Sequence, residues 1–347
     1  MEKEGVWINL RDEDLAEETK ALISSLPSSE KLYLGRTLSK YQGSWYYGNF
    51  LQGVLNFQKG FKPEDTDVIV ASFPKCGTLW LKALTVALFE RSKNRSSDDP
   101  MSHHPLLSNN PHNLVPVLEM NLYRDTQTPD LTKLSSSSPR LFSTHTPFHT
   151  LQEAVNDSPC KIVYICRDAK DSLVSRWHIV CRCLNKEEDK SILESMFESF
   201  CTGVFLFGPY WDHILSYWKA SLENPKQVLF MKYDEVKTDP HGQLKKLAEF
   251  LGCPFSEEEE KNGSLDEILE MCSLRNLGSL EVNKTGKSIN GIDYKIHFRK
   301  GIVGDWKNHL TPEMGNKIDM IMEEKLKGSG LKFLSSCFIM YCNNKKL

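Results

Sequence analysis

The 347-residue sequence contains no run of eighteen apolar residues, so it offers no candidate for a membrane-spanning helix. Its opening, Met1-Glu2-Lys3-Glu4-Gly5, is acidic and leads into no apolar segment. No secretory signal is therefore expected, and the cytosol is the default compartment. There is no C-x-x-C pair either. The ten cysteines are scattered, with Cys181-x-Cys183 the closest spacing, which is the pattern of reduced thiols rather than of a disulfide framework or a zinc cluster. N-x-S/T sequons begin at Asn94, Asn156, Asn262 and Asn283, and without a signal they read as chance matches. Neither sign of charge is in surplus: a formal net charge of −3 and a pI near 6.4 argue against bulk binding to nucleic acid or to an anionic membrane. What remains is an ordinary globular composition, 40% hydrophobic and 26% charged, in a chain long enough for one large core.

The most informative stretch runs from Val68 to Phe89. Val68, Ile69, Val70 and Ala71 suit a buried strand, while Leu81, Leu84 and Leu88 recur at helical spacing. Between them lies Phe73-Pro74-Lys75-Cys76-Gly77-Thr78-Leu79-Trp80. Pro74 stiffens the strand exit, Gly77 permits close backbone approach, and the first N–H groups of the helix face outward at its positive end, which is an anion-binding shape. Lys75 adds a charge and Thr78 a hydroxyl. The loop is not a Walker A loop, because Lys75 precedes the only glycine, so phosphate binding is indicated without nucleotide hydrolysis. Cys76 would serve a cysteine phosphatase only with an arginine about six residues on, and Lys82 stands there.

A second unit of the same kind is Lys161-Ile162-Val163-Tyr164-Ile165-Cys166 followed by Arg167 and a helical run through Ser175 and Trp177. Arg167 suits a phosphate, and equally an ion pair with Asp168 or Asp171. Val228 to Lys232 is a third strand with Tyr233 at its end, and Leu141 to Thr146 a short one, stopped by Pro147, that leaves His145 at its carboxyl end. Strands alternating with helices imply an α/β fold, a mainly parallel sheet covered on both faces with ligands gathered at the carboxyl edge. Asp12 to Ser25 is a helix candidate, Ser135 to Pro139 a linker, and Glu257 to Glu260 a solvated helix start. The aromatics Tyr41, Trp45, Tyr46, Tyr47 and Phe50 read as core before pocket wall. His103, His104 and His112 lie in a polar loop without metal-ligand spacing, so no metal is expected. Gly286-Lys287-Ser288 imitates the end of a Walker A motif but has no strand before it. Arg299-Lys300-Gly301 forms a flexible basic loop suited to a second phosphate.

Taken in order, the FPKCGTLW loop, the CRDAKDSLVS segment and the FRKGIVGDWK segment resemble the cytosolic sulfotransferase family, in particular its plant members, from about Asp12 to Phe333. The resemblance implies a P-loop-like phosphosulfate-binding loop in a single domain, residues 61–333, with 1–60 packed against it and 334–347 as a tail. It implies 3′-phosphoadenylyl sulfate (PAPS) as cosubstrate and adenosine 3′,5′-bisphosphate (PAP) as product, with no metal. Lys75, Cys76, Gly77, Thr78, Leu79 and Trp80 would wrap the phosphosulfate, Trp80 lying near the adenine. Arg167, Ser175, Arg299, Lys300 and Gly301 would hold the 3′-phosphate. Tyr233 and Cys272-Ser273-Leu274 would contact the adenine side. His145 matches the catalytic base and Lys75 the group that stabilises the leaving phosphate. The partner is then a small hydroxylated acceptor, largely apolar, of flavonoid, steroid, hydroxyjasmonate or desulfoglucosinolate type, with Phe142 and Phe148 expected to help line its pocket. The chain departs from the pattern at Leu79, Ala169 and Leu274, and Arg176 adds a charge beside Ser175. A member weakened into a PAPS- or ligand-binding protein is the alternative. The animal dimer motif is poorly matched near Pro312 and Asn316, so a monomer is expected as readily as a homodimer.

Overall fold

The computed structural model describes residues 15–30, 33–93, 103–135, 139–156, 158–288 and 291–333. The first helix, α1, spans Glu17–Ser25, and the expected residues 12–14 fall outside the described range. A short antiparallel hairpin, β1 (Ser39–Tyr41) and β2 (Ser44–Tyr46), leads to α2 (Gly48–Gly60). The central units follow: β3 (Val68–Ser72) with α3 (Thr78–Lys93), β4 (Leu141–Thr144) with α4 (Phe148–Val155), and β5 (Lys161–Cys166) with α5 (Ala169–Cys183). Then come α6 (Lys190–Cys201), α7 (Tyr210–Glu223), β6 (Val228–Lys232), α8 (Tyr233–Thr238), α9 (Pro240–Leu251), α10 (Glu257–Lys261), α11 (Ser264–Met271), α12 (Leu274–Ser279) and α13 (Pro312–Leu326). Ser256 and Glu259 form a reciprocal capping box on α10, as its acidic, exposed sequence suits. Ser135 ends a short helix, Thr132–Ser135, rather than opening a linker, and 136–138 are not among the described residues.

Among the described residues β4, β3, β5 and β6 pair in that order, all parallel. Alternation along each strand assigns its side chains to two cores. Ile69 and Ala71 of β3 and Ile162 and Tyr164 of β5 point into a core shared with α2, α5, α6 and α7. Val68, Val70, Val163 and Ile165 point the other way, into a core with α3, α9 and α11. The helices after β3 and β5 thus cover opposite faces, and the crevice between those strands' carboxyl ends is a topological switch point where α/β proteins bind ligands. Register aligns the strand ends: Ala71 sits opposite Thr144, Ser72 opposite Ile165, and Cys166 opposite Lys232. Phe73, His145, Arg167 and Tyr233, each one residue past a strand, therefore meet at one edge.

Residues before β3 contribute to the same core, with Tyr33, Leu38, Tyr46, Tyr47 and Leu51 buried in it. The eight cysteines among the described residues are free. No helix of the described residues is long and apolar enough to cross a membrane.

Candidate active site

One cavity at this edge is lined by Lys75, Gly77, Thr78, Leu79, Trp80, His145, Arg167, Ser175, Tyr233, Arg299, Lys300 and Gly301. Of the residues expected to wrap the phosphosulfate, Cys76 is the one that does not line it. Its thiol turns into the core, 3.4 Å from the Ser172 hydroxyl and 3.9 Å from that of Tyr210, and burial pushes it up to about 11. A thiol so held is no nucleophile at neutral pH.

The loop after β3 depends on two left-handed residues, Lys75 at φ 73° and Gly77 at φ 110°. Sequence reading assigned Gly77 to close approach of a ligand. Here a Cβ at Gly77 would also lie 2.8 Å from the Tyr233 ring, so the glycine is needed by the protein's own packing. Ser72 and Thr78 hydroxyls meet at 2.6 Å across the loop, fixing the start of α3 against the end of β3. Lys75 has no carboxylate within ion-pair distance among the described residues. Burial, and then the charges of Arg176, Arg167, Arg299 and Arg182, bring it down to about 7. It is a cation that gains from the arrival of an anion.

At the far side of β3, His145 Nδ1–H donates to the Ser72 carbonyl at 2.8 Å. A carbonyl only accepts, so Nδ1 carries the proton and Nε2 keeps a lone pair. The ring is anchored through its backbone as well. The His145 N–H donates to Glu119 Oε1 at 2.8 Å, and His213 Nε2–H donates to the His145 carbonyl at 2.9 Å. Burial, only partly offset by the Ser72 bond, holds the His145 ring at about 3, so it is neutral across the physiological range.

The basic residues further along are bound to acids that sequence reading had only partly foreseen. Arg167 pairs with Asp171 at 3.4 Å, donates to the Ile302 carbonyl at 2.6 Å and lies over the Tyr233 ring, while still lining the cavity. The ion-pair and phosphate readings are thus compatible. Arg299 and Lys300 share Asp305, the latter at 2.9 Å, and the Tyr233 hydroxyl donates to the Gly301 carbonyl at 2.9 Å, tying this loop to the end of β6. Burial would raise the Asp305 carboxyl, but hydrogen bonds from Lys300, Arg299 and Asn308 hold it well below the usual range. Leu274 lines the cavity and packs over Gly301, whereas Cys272 is buried and Ser273 caps α12 through Asn276 N–H. The Trp80 ring stands edge-on to Tyr233 at 5.5 Å.

Two expectations are corrected. Phe142 and Phe148 do not line the cavity: alternation along β4 sends Phe142 into the core against Phe61, and Phe148 packs on Tyr217. Phe50 and Phe207 line it instead, with the His145 ring 5.8 Å from Phe207. The Phe205-Leu206-Phe207-Gly208-Pro209 stretch was the sequence signal for Phe207, visible as aromatics beside a forced turn. The aromatic N-terminal segment is otherwise core, as Tyr46 and Tyr47 show. His112 reaches the cavity but is held to the fold, its Nδ1 accepting from the buried Lys82 ammonium at 3.1 Å. His104 caps the turn Pro105–Leu107. A further group, His178, Glu188 and His309, lies beside the Arg299–Asp305 pair, where positive charge suits anions better than a cation.

A family model for the sulfotransferase domain matches residues 65–330. The chain belongs to the sulfotransferase family. It is 82% identical over 321 residues to Cytosolic sulfotransferase 3 of Arabidopsis thaliana, covering 92% of this chain and 96% of that one. A crystal structure of another Arabidopsis thaliana sulphotransferase superposes with a TM-score of 0.71 at 43% identity, over 93% of this chain and 98% of that one. A mouse sulfotransferase complexed with PAP follows at a TM-score of 0.61 and 25% identity, over 88% and 99% of the two chains. This sulfotransferase is accordingly an enzyme of plant cytosolic type, and its α/β fold agrees with the architecture expected from the alternating pattern of its sequence.

Proposed function

We propose that this sulfotransferase moves a sulfonate from PAPS to a hydroxyl of a small metabolite, of flavonoid, steroid, hydroxyjasmonate or desulfoglucosinolate type. The observation that carries the reading is the placing of a neutral His145, its Nε2 lone pair free, in the same cavity as a half-buried lysine with no carboxylate beside it. The acceptor oxygen forms a bond to sulfur as the bond from sulfur to the bridging phosphate oxygen breaks. His145 Nε2 takes the hydroxyl proton, and Lys75 stabilises the charge left on the phosphate. Such transfer asks the protein mainly for in-line positioning and charge stabilisation. The N–H groups of the first turn of α3 face the phosphosulfate, where a helix N-terminus favours an anion. Arg167, Ser175, Arg299, Lys300 and Gly301 hold the 3′-phosphate, and Trp80, Tyr233 and Leu274 flank the adenine. The PAP carried by the mouse relative supports this donor. The name of the Arabidopsis relative supports a cytosolic location. We place the catalytic unit at 61–333, with the described part of 1–60 packed on it, and a single chain supplies every residue of this scheme.

Calorimetric titration with PAP, and with adenosine 5′-monophosphate as control, tests the donor. The wild type should prefer the bisphosphate and Arg299→Ala should lose the preference. Transfer from PAPS across a panel of hydroxylated acceptors tests the chemistry: His145→Ala should retain PAP binding while kcat falls by about 10²–10⁴, the usual contribution of a general base. PAP binding without turnover on any acceptor would return the binding-protein reading, and unchanged kcat in His145→Ala would remove the histidine from the mechanism.

A further inference from the structure

The cavity has two cationic poles. Around Tyr233 stand Arg167 and Arg299, each already paired with a carboxylate, Asp171 and Asp305. At the other end stands Arg176, which lines the cavity on the stripe of α5 that also carries Ile179 and Cys183. The spacing of 176, 179 and 183 is that of one helical face. Among the described residues no carboxylate lies within ion-pair distance of Arg176, and its Nε is buried without a hydrogen-bond partner. Its charge is felt by Tyr33 and Tyr47, by Lys75 and by His145. Tyr47 leads by ring contacts to Phe50, Phe50 to Phe207, and Phe207 to His145. Arg176 therefore belongs to the end of the cavity where the base and the apolar walls receive the acceptor, and not to the Tyr233 end.

We propose that Arg176 recognises the acceptor, and that the acceptor carries a carboxylate in addition to the hydroxyl that is sulfonated. This rests on the sulfotransferase scheme given above. An acceptor filling the space between Phe50, Phe207 and Ile179 displaces water from the guanidinium. A neutral acceptor would strip water from the half-buried guanidinium and leave it no counter-charge, with only the Tyr33 hydroxyl as a polar neighbour among the described residues, which is costly, whereas a carboxylate would meet it with charge-assisted hydrogen bonds of matching planar geometry. In the scheme above the donor's 3′-phosphate is held by Arg167 and Arg299 at the Tyr233 end and its phosphosulfate by Lys75 and the first turn of α3, so neither donor anion is assigned to Arg176. The inference narrows the largely apolar acceptor classes to their acidic members.

The test is binding to the PAP-loaded enzyme of two acid and ester pairs, para-coumarate with its methyl ester and ω-hydroxylaurate with its methyl ester, on wild type, Arg176→Gln and Arg176→Lys. In at least one pair the wild type should bind the acid about ten-fold or more tighter than the ester, the scale of one charge-assisted bond. Arg176→Gln should abolish that ratio and Arg176→Lys should keep part of it, with thermal stability close to wild type; a large loss of PAP affinity in Arg176→Gln would assign the guanidinium to the donor and overturn the proposal. The ratio is insensitive to a merely structural role. Equal affinities for acid and ester in both pairs, including no binding of either, overturn the proposal, as does a preference that survives in Arg176→Gln. Failure of the wild type to bind PAP at all would instead strike the donor scheme beneath it, and the two failures are read separately.

Discussion

Lys75 combines a left-handed backbone, a half-buried and poorly solvated ammonium and four arginines at longer range, and these together set its titration near neutrality. A phosphate arriving beside it favours the ammonium form, so donor binding above pH 7 requires proton uptake. The sign is fixed: below about pH 7 the lysine is already charged and affinity is flat, while above it affinity falls as pH rises, until the pKa of the bound state is passed. PAP titrations from pH 6 to 9 should show Kd rising by up to about ten-fold per pH unit above 7, the limit for one proton. In Lys75→Met binding should be weaker, and the contribution of that proton should vanish. His145 contrasts with Lys75. Being held near 3, it stays in its base form over the same range and gives kcat/KM no acid limb near the ordinary histidine value.

At the scale of elements, the edge of the sheet opposite the site is secured by one buried ion pair. Arg140, just before β4, donates from Nε to Asp67 Oδ1 at 2.8 Å and from Nη2 to Oδ2 at 2.6 Å, and Asp67 is fully buried just before β3. Backbone bonds continue the link, Val68 N–H to the Arg140 carbonyl and Lys161 N–H to the Asp67 carbonyl. The starts of β3, β4 and β5 are thereby joined, and the register that aligns Phe73, His145 and Arg167 begins here. Arg140→Met would leave the Asp67 carboxylate buried without its partner, a loss of about 3–5 kcal/mol. Urea denaturation should show that loss, while PAP affinity of the folded fraction stays near wild type. A change below about 1 kcal/mol, the level of a surface pair, would show that the link carries little of the sheet's stability. Strand and helix periods, and the positions just past each strand, were legible in the sequence because they are local properties. The Asp67–Arg140 pair spans two strands that are distant in sequence, and no local pattern announces it.

For the molecule as a whole, the least conventional feature is a lysine and a glutamate buried together beneath the cavity. Lys82 on α3 is fully buried, donating to the Val115 carbonyl at 2.7 Å, and burial brings it to about 7 although the Glu119 charge raises it. Burial pushes Glu119 up to about 7 against the hydrogen bonds from His145 N–H and the Thr144 hydroxyl. Their effects on stability run in opposite directions. Between about pH 4.5 and 7 the folded chain holds the extra proton, on Glu119, and stability falls as pH rises. Between about pH 7 and 10 the unfolded chain holds it, on Lys82, and stability rises with pH. Lys75 adds to the same trend, so Lys82→Met should remove only the share that Lys82 contributes. Denaturation at pH 7, 8 and 9 should show the wild type gaining on the variant, by at most about 1.4 kcal/mol per pH unit. A difference constant over that range would mean that Lys82 remains charged in the folded state.

Local pattern alone was enough to place the loop from Phe73 to Trp80, the paired unit at Arg167, the basic turn at Arg299 and His145 at a strand end, because period, turn chemistry and charge are written within a few neighbouring residues. The resemblance to the sulfotransferase pattern, rather than local period or turn chemistry, marked Arg176 as an added charge. Only the tertiary structure decided that Asp171 and Asp305 balance the cations of one pole, that Cys76 turns away, that Phe50 and Phe207 rather than Phe142 and Phe148 wall the cavity, and that Arg176 lines it with Ile179 and Cys183. Those outcomes depend on which distant segments the parallel sheet brings to its carboxyl edge. Burial and long-range charge, which set the behaviour of Lys75 and His145, exist only once those segments have met.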